Sequence, residues 1–306
     1  MKISVIQQWL DFDYDYRKES PSLLLLRDKA ERRIDECITL IEKAASEGSD
    51  LAVTTETVNA CTVLGDTRFA YTDIYEGIEG KTVKRFAETA KKLNMYIVAG
   101  LLLVLDGAAY NCAVLFNRNG DVVGIHKKVH LPAGEEKYVS AGDSFEVFPT
   151  EIGNIGMLVC WDMQYPEAAR ELALGGADLI CCPTLGWENI YGLARAYENS
   201  VTIAAAMCAF YSSQPTLCSP SCIVDNMGSI IAAAPIGETC VVTADVDILR
   251  EPSPQYYSEN FYPSDSMRRT RFVQRRPDTY RLQNCPLSDT PLYLRYFDKV
   301  DKKHEE

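Results

Sequence analysis

The sequence predicts an α/β protein in which helices cover mixed β-sheets. Three observations support this fold class. Apolar runs typical of buried strands alternate with amphipathic helical segments through most of the chain. Two pairs of strands are joined by turns of the Asn-Gly type, which are typical of antiparallel hairpins. The chain also lacks a Pro/Gly/Ser-rich linker before residue 250, so one domain fits this part of the sequence better than two.

The first half of the chain shows strands and helices in alternation, followed by a hairpin. Residues 2–8 form a short apolar run typical of a strand. Further along, Ile34, Cys37 and Ile41 recur every three or four positions and Gly48 ends the pattern, which indicates an amphipathic helix. The next segments are LAVTTET (short strand), KTVKRFAETAKKLN (helix), YIVAGLLLVL (buried strand) and AYNCAVLFNRNGDVVGIHKKV (hairpin with its turn at Asn119-Gly120).

The alternation repeats after residue 150. IGMLVC, DLICCP and VTIAAAMC are typical of strands, whereas PEAARELALGGA and ENIYGLARAYENS between them are typical of helices. SCIVDNMGSIIAAAP predicts a second hairpin and TCVVTADVDI a last strand. We therefore assign residues 1–250 to one domain.

Residues 251–306 differ in character and are predicted to form an extended C-terminal arm. This segment has little periodicity and several prolines, but it is too rich in aromatic residues for a disordered tail. We expect it to pack either on its own domain or across a subunit interface. Either surface is a possible partner for its basic patch, which contains Arg268, Arg269, Arg271, Arg275 and Arg276.

Charge and hydropathy exclude several classes of function. The formal net charge is −12 at pH 7 and the sequence pI is near 4.9, so the surface is unsuited to nucleic acid, which is bound mainly by Lys and Arg. The N-terminal residues lack the features of a secretory signal, and no apolar run is long enough to span a membrane. We expect a cytoplasmic protein that binds neither nucleic acid nor membranes.

One of the eleven cysteines stands in an unusual position. Most of the others, such as Cys181 and Cys208, lie inside apolar runs and are expected to be reduced and buried. Cys160 instead ends a strand, and Pro166 shortly after it suits the first turn of a helix. Ligands bind at such strand ends in parallel sheets, so Cys160 is a candidate nucleophile.

A cysteine nucleophile needs a base and cationic or N–H donors for a developing oxyanion. The segment HKKVH offers His126 and His130, which leaves a papain-like Cys–His pair open as an alternative. Its spacing also matches two helical zinc ligands, but the glutamate of the HExxH motif is absent. If the segment is a strand, both histidines share one face with Lys128, which then needs an acidic partner. Glu56, at a strand end, and Glu136 are the candidates.

Five motifs, taken together, resemble the nitrilase superfamily of carbon–nitrogen hydrolases. They are KKVHLP, EEKYVSAGD, CWDMQYPEAARELALGGAD, RAYENS and RRPDTY, and they occur in the family's order. The resemblance implies a four-layer α-β-β-α sandwich with two mixed β-sheets, and homodimers or larger homo-oligomers. It also implies that no metal or organic cofactor is needed.

The same resemblance assigns roles to individual residues. Glu56 is similar to the family's general base, Lys128 to its oxyanion-stabilising cation, and Cys160 to its nucleophile. Glu136 resembles the second glutamate, which places the lysine and the substrate. The chain departs from the family at Thr55, where a proline commonly precedes the base.

The predicted reaction is hydrolysis of a small linear amide through a thioester on Cys160. The backbone N–H of Trp161 is expected to assist Lys128 in holding the oxyanion. The Cys-Trp-Asp sequence differs from the Cys-Trp-Glu of nitrilases, which favours an amidase, with hydrolysis of an N-carbamoyl amine as the near alternative. A catalytically idle relative that binds a metabolite is a third possibility. Candidate walls of the acyl pocket are Trp187, Tyr191 and Tyr211.

Overall fold

A computed structural model describes residues 1–10, 21–62, 68–209, 219–250 and 266–296. The chain divides into two compact units, which span Met1–Pro252 and Ser253–Glu306. The strands are β1 Lys2–Gln7, β2 Leu51–Val53, β3 Tyr96–Leu105, β4 Ala108–Phe116, β5 Val122–Lys127, β6 Val147–Thr150, β7 Gly153–Met157, β8 Leu179–Thr184, β9 Thr202–Met207, β10 Cys222–Val224, β11 Ile230–Ala233 and β12 Cys240–Asp245. The helices are α1 Leu23–Ser46, α2 Tyr71–Ile74, α3 Lys81–Leu93, α4 Pro166–Leu174, α5 Asn189–Asn199, α6 Met267–Val273 and α7 Pro291–Tyr296.

Within the described residues, the strands of the first unit form two six-stranded sheets. The first sheet has the order β12-β1-β2-β3-β4-β5 and the second has the order β11-β10-β9-β8-β7-β6. Each sheet has parallel strands in its middle, β1-β2-β3 in the first and β7-β8-β9 in the second, with antiparallel strands at both edges. Both sheets are therefore mixed, as predicted.

The two sheets pack face to face around an apolar layer. Alternate side chains along β1, β2 and β3 meet alternate side chains of β7, β8 and β9, as expected for two sheets that share a core. The layer includes Val5, Val53, Val98, Met157, Leu179, Cys181, Ala204 and Ile223.

Helices cover the outer faces of both sheets. α1 and α3 bury one apolar stripe each against the first sheet, in a cluster that includes Ile34, Phe86 and Phe116. On the second sheet, α4 contacts β7 and α5 contacts β9 and β10. These layers give the α-β-β-α sandwich, and the predicted fold class is confirmed.

Local signals in the sequence explain where several helices begin and end. The Ser22 side chain accepts a hydrogen bond from the Leu25 N–H at 3.3 Å and caps α1. Gly48, just beyond α1, has a φ of 82°, a conformation that glycine adopts without strain. Pro166 occupies the first turn of α4, as its sequence position predicts.

In the described part of the second unit lie α6, α7 and two short 3₁₀ turns. Residues 251–265 and 297–306 of the predicted arm lie outside the described residues, so the surface on which the arm packs stays a prediction. Among the helices that the structure describes, none is both long and apolar enough to cross a membrane.

Candidate active site

The predicted catalytic residues stand where strands of both sheets end. Glu56 follows β2 and Lys128 follows β5 in the first sheet, whereas Cys160 follows β7 in the second. The backbone is left-handed at Cys160, where φ is 46°, and at Thr57, directly after Glu56, where φ is 52°. Non-glycine residues rarely adopt this conformation, and it marks two sharp turns at functional positions.

A buried ammonium lies between two carboxylates. The Lys128 Nζ atom is 3.0 Å from Glu56 Oε1 and 2.8 Å from Glu135 Oε2. All three residues are buried, with exposed fractions of 2% for Glu56, 2% for Lys128 and 4% for Glu135. Charges as deeply buried as these need partners, and here each has one.

The second glutamate is Glu135, which corrects our assignment of Glu136. Both belong to a 3₁₀ turn over Glu135–Lys137, in which consecutive side chains point in different directions. Glu135 points inward to Lys128, whereas the exposed Glu136 accepts a hydrogen bond from the Gly134 N–H at 2.6 Å. Nothing in the local sequence distinguished the two neighbours, because the choice depends on where the turn begins.

Asn111 joins the two carboxylates from the other side, and the sequence analysis missed it. Its Nδ2 atom donates to Glu56 Oε1 at 2.7 Å and to Glu135 Oε1 at 3.0 Å. The Asn111 carbonyl also accepts from the Lys128 N–H at 2.8 Å. The sequence signal for Asn111 was its side-chain amide, which stands alone within the otherwise apolar strand β4. A buried polar side chain needs a specific partner, so such a residue indicates a polar contact.

The electrostatics of the cluster favour a charged lysine. Burial lowers the pKa of Lys128, but the charges of Glu56, Cys160 and Glu135 outweigh it and hold that pKa well above its ordinary value. Burial raises the pKa of Glu135, and the nearby Lys128 only partly opposes this. The ammonium is therefore a permanent positive charge beside the thiol.

Cys160 is half-buried and responds to the same charges. Burial, followed by the negative charge of Glu56, raises the pKa of its thiol to about 12. Lys128 acts in the opposite direction, as do hydrogen bonds from the Thr184 side chain and the Leu185 backbone. The resting group is a neutral thiol, so it needs a base for activation.

Leu185 also contacts Glu56. Its backbone N–H donates to Glu56 Oε2 at 2.8 Å, from the chain segment directly after β8. Because the same N–H interacts with the Cys160 thiol, one peptide group links Glu56 to Cys160.

The two histidines of HKKVH bind an aspartate instead of Cys160 or a metal. His126 Nε2 is 2.9 Å from Asp162 Oδ2, and His130 Nδ1 is 3.0 Å from Asp162 Oδ1. These contacts engage both rings, which leaves the Cys–His alternative without support. Among the described residues, no group of three or more His, Cys, Asp or Glu side chains is arranged to hold a metal ion.

Trp187 and Tyr191 pack together beside the Leu185 segment. Trp187 is 1% exposed and meets the Tyr191 ring edge-on, with ring centroids 5.2 Å apart. The Tyr191 hydroxyl donates to the Gly186 carbonyl at 3.0 Å. Their role as walls of an acyl pocket stays a prediction, and Tyr211 lies outside the described residues.

The approach of the two sheets at the site requires a glycine on β3. A Cβ atom at Gly100 would lie 2.4 Å from the Thr55 carbonyl oxygen, 2.7 Å from the Glu56 Cα and 2.9 Å from the Pro183 Cβ. Any side chain at this position would displace the backbone that carries Glu56.

Comparison with known proteins identifies the family of this chain. The family model for carbon-nitrogen hydrolases matches residues 27–251, which contain Glu56, Lys128, Glu135 and Cys160. The chain belongs to the carbon–nitrogen hydrolase family. The predicted membership of the nitrilase superfamily is confirmed, and the protein is a hydrolase.

Curated members of this family share about a third of the residues. A probable nitrilase of Schizosaccharomyces pombe is 32% identical over 213 residues, which cover 66% of this chain and 74% of the relative. The omega-amidase NIT2 of Mus musculus is 30% identical over 229 residues, which cover 69% of this chain and 81% of the relative.

Solved structures of carbon–nitrogen hydrolases share the fold. The crystal structure of a carbon–nitrogen hydrolase from Helicobacter pylori G27 has a TM-score of 0.72 and 22% identity, covering 93% of this chain and 98% of that one. An amidase mutant from Nesterenkonia sp. AN1 has a TM-score of 0.66 and 21% identity, covering 81% of this chain and 93% of that one.

The corrected glutamate gives a first prediction. We expect Glu135→Gln to lower the free energy of unfolding by about 1.5–3 kcal/mol, because a hydrogen bond to a charged group is lost. The matched substitution Glu136→Gln, at an exposed neighbour, should change it by less than about 0.5 kcal/mol. Urea unfolding of the two variants measures the difference, and a larger loss in Glu136→Gln would contradict the assignment.

The charge of Glu56 gives a second prediction, for the alkylation of Cys160 by iodoacetamide. In Glu56→Gln, the negative charge that raises the thiol pKa is gone, so the pKa falls and more thiolate is present at any pH below it. We expect faster alkylation at pH 8 than in the wild type. The midpoint of the rise in alkylation rate with pH should also lie at a lower pH. Glu136→Gln serves as the control, and slower alkylation in Glu56→Gln would count against a direct effect of this charge.

Proposed function

We propose that the protein hydrolyses a small linear amide through a thioester on Cys160. The observation that carries this proposal is the contact of one buried ammonium, Lys128, with two carboxylates beside a half-buried thiol. One cation neutralises one carboxylate, so the cluster favours uptake of one proton. A base and an oxyanion donor are thus held together in a site largely removed from water.

The first half of the reaction forms the thioester. Glu56 takes the thiol proton as the Cys160 sulfur attacks the amide carbon, and the carbonyl oxygen becomes an oxyanion. Lys128 and the Trp161 N–H stabilise that oxygen, and each such donor is worth about 2.7–4 kcal/mol in the transition state. The carbon–nitrogen bond then breaks, Glu56 returns its proton to the nitrogen, and ammonia or an amine leaves.

The second half regenerates the thiol. Water attacks the thioester carbon while Glu56 accepts one of its protons, and a second oxyanion forms near Lys128. The carbon–sulfur bond breaks and the proton passes from Glu56 to the sulfur. The products are a carboxylic acid and the free Cys160 thiol, with no redox change.

The backbone near Trp161 suits its proposed role. A 3₁₀ turn begins at Cys160, and the first N–H groups of such a turn have no acceptor within it. The Trp161 N–H is one of these, next to the sulfur along the chain. Trp161 as a whole is 38% exposed, and its indole ring is not required for this role.

An amide is the favoured substrate class. The Cys160-Trp161-Asp162 sequence differs from the Cys-Trp-Glu typical of nitrilases, and relatives named omega-amidase are about 30% identical to the chain. The positions after Asp162 hold Met163 and Gln164, so the arginine pair suited to an amino-acid carboxylate is absent. N-carbamoyl amines remain the alternative, since their hydrolysis uses the same groups.

Ammonia release from a substrate panel tests this proposal. The panel contains short linear amides, N-carbamoyl amines, N-carbamoyl amino acids and nitriles. We expect turnover of the amides, and its loss in Cys160→Ala to below about one-thousandth of the wild-type rate, because the covalent path is removed. For substrates that yield no ammonia, mass spectrometry detects release of the amine and formation of the thioester at Cys160.

The control is Cys240→Ala, because this half-buried residue lies on the edge strand β12. Cys208 is less suitable because its sulfur lies 3.8 Å from the carbonyl oxygen of Leu185, the residue whose N–H binds Glu56. Turnover confined to the carbamoyl amines would select the alternative, whereas equal loss in both variants would remove Cys160 as the nucleophile. A folded wild-type protein that turns over nothing and forms no thioester would point to the catalytically idle alternative.

We also propose that the protein is a homo-oligomer, with α4 and α5 at the interface. The support is two large apolar side chains on these adjacent helices, Leu174 at 45% and Ile190 at 76% exposed. Sedimentation velocity should give at least a dimer for the wild type and a smaller species for Ile190→Asp. Leu24→Asp, at an 80% exposed site on α1, should leave the assembly unchanged. A monomeric wild type would refute this proposal.

A further inference from the structure

We infer that Asp162 is a positioning residue that sets the separation between Lys128 and Cys160. This inference rests on the proposed function, because it assigns Asp162 to the geometry of that same site. Asp162 is fully buried and carries no part of the chemistry described above. Its carboxylate instead binds the two chain segments that present the cation and the nucleophile.

One carboxylate oxygen holds the segment that follows Lys128. Asp162 Oδ1 accepts from the His130 N–H at 2.8 Å and from the Val129 N–H at 3.2 Å, and the His130 ring lies 3.0 Å away. The His130 ring is held in turn by stacking on Tyr165, with ring centroids 3.8 Å apart. This oxygen therefore fixes the chain within two residues of the cation.

The other oxygen holds the segment that precedes the nucleophile. Asp162 Oδ2 accepts from the Val159 N–H at 3.1 Å, and the buried His126 ring lies 2.9 Å away. The Asp162 N–H also donates back to the Val159 carbonyl at 3.0 Å. These two backbone bonds close the turn in which Cys160 has its left-handed conformation.

Two backbone contacts also fix Lys128 but do not involve Cys160. The Lys128 N–H donates to the Asn111 carbonyl at 2.8 Å, and the Lys128 carbonyl accepts from the Gly142 N–H at 2.8 Å. Asp162 thus supplies a direct bridge from this frame to the turn at Cys160, which belongs to the other sheet. A shift of about 1 Å between catalytic groups is enough to reduce a rate about a hundredfold.

The bridge requires a carboxylate. Burial alone raises the pKa of Asp162, but hydrogen bonds from His126 and His130 outweigh it and hold that pKa well below its usual range, so the group is ionised. An asparagine carries one acceptor oxygen and one NH₂ group. In either orientation, its NH₂ group would face a backbone N–H, at Val159 or at Val129 and His130, and one arm of the bridge would break.

The test is the rate at which iodoacetamide alkylates Cys160 in Asp162→Asn at pH 8, measured on the Cys160 peptide by mass spectrometry. If Asp162 holds Lys128 beside the thiol, the substitution separates these two groups and the pKa of the thiol rises. We expect alkylation to be about tenfold slower for each unit by which that pKa rises. Simple loss of a nearby negative charge would have the opposite effect and speed alkylation. The sign of the change therefore separates positioning from electrostatics.

Asp178→Asn is the matched control. The Asp178 carboxylate accepts from the Asn154 N–H at 3.0 Å, so it also joins two backbone segments, but at the opposite ends of β7 and β8 from Cys160. Its alkylation rate should stay within about twofold of the wild type, since distant sites act independently. An unchanged or faster rate in Asp162→Asn would overturn the inference.

A double variant excludes general loosening of the fold. If Asp162 acts through Lys128, Asp162→Asn should change the alkylation rate by less than about twofold when Lys128→Met is already present. Equal slowing in both backgrounds would mean a merely structural role. Thermal unfolding shows whether each variant is folded. If Asp162→Asn is not, His130→Ala keeps the carboxylate, removes the ring contacts of His130 with Asp162 and Tyr165, and should slow alkylation in the same Lys128-dependent way.

These measurements do not depend on turnover. Absence of amide hydrolysis would refute the proposed function and leave the alkylation result intact. An unaltered alkylation rate would refute the role of Asp162 and leave the substrate panel intact.

Discussion

The site depends on one buried ammonium ion that is surrounded by acceptors. Removing Lys128 from water is costly, and the cost is offset by Glu56 and Glu135, which are buried with it. Asn111 then ties the two carboxylates to each other. Since every member of this group depends on the others, none can move without leaving a charge or an amide unpaired. The Lys128 ammonium is therefore held in place before any substrate arrives.

The fold supplies this rigidity through the ends of strands. Glu56 and Lys128 leave the first sheet and Cys160 leaves the second, and the apolar layer between the sheets fixes these ends relative to one another. Close backbone approach at Gly100 and the Leu185 N–H complete the contact between Glu56 and Cys160. The α-β-β-α sandwich thus acts as a frame for a small polar cluster at its edge.

Most of the fold followed from periodicity, because long apolar strands and amphipathic helices have unambiguous patterns. The sequence also singles out Glu56, Lys128 and Cys160, since each stands directly after or near the end of an apolar run, and the structure brings the three together. Glu135 was confused with Glu136 because a one-residue shift in a short turn reverses which side chain points inward. Asn111 was missed as part of the site because its two carboxylate partners are 24 and 55 residues away along the chain. Asp162 was missed because its partners, apart from the nearby Val159, are 32–36 residues away.

The division of the site between two sheets has a consequence for the chain as it is synthesised. Glu56 and Lys128 precede Cys160, and the strand β8 that leads to Leu185 comes later still. Until that strand has joined its sheet, the Cys160 thiol lacks the peptide group that links it to Glu56. A nascent or half-folded chain therefore has no assembled site, and we expect hydrolytic activity only when both halves have closed on each other.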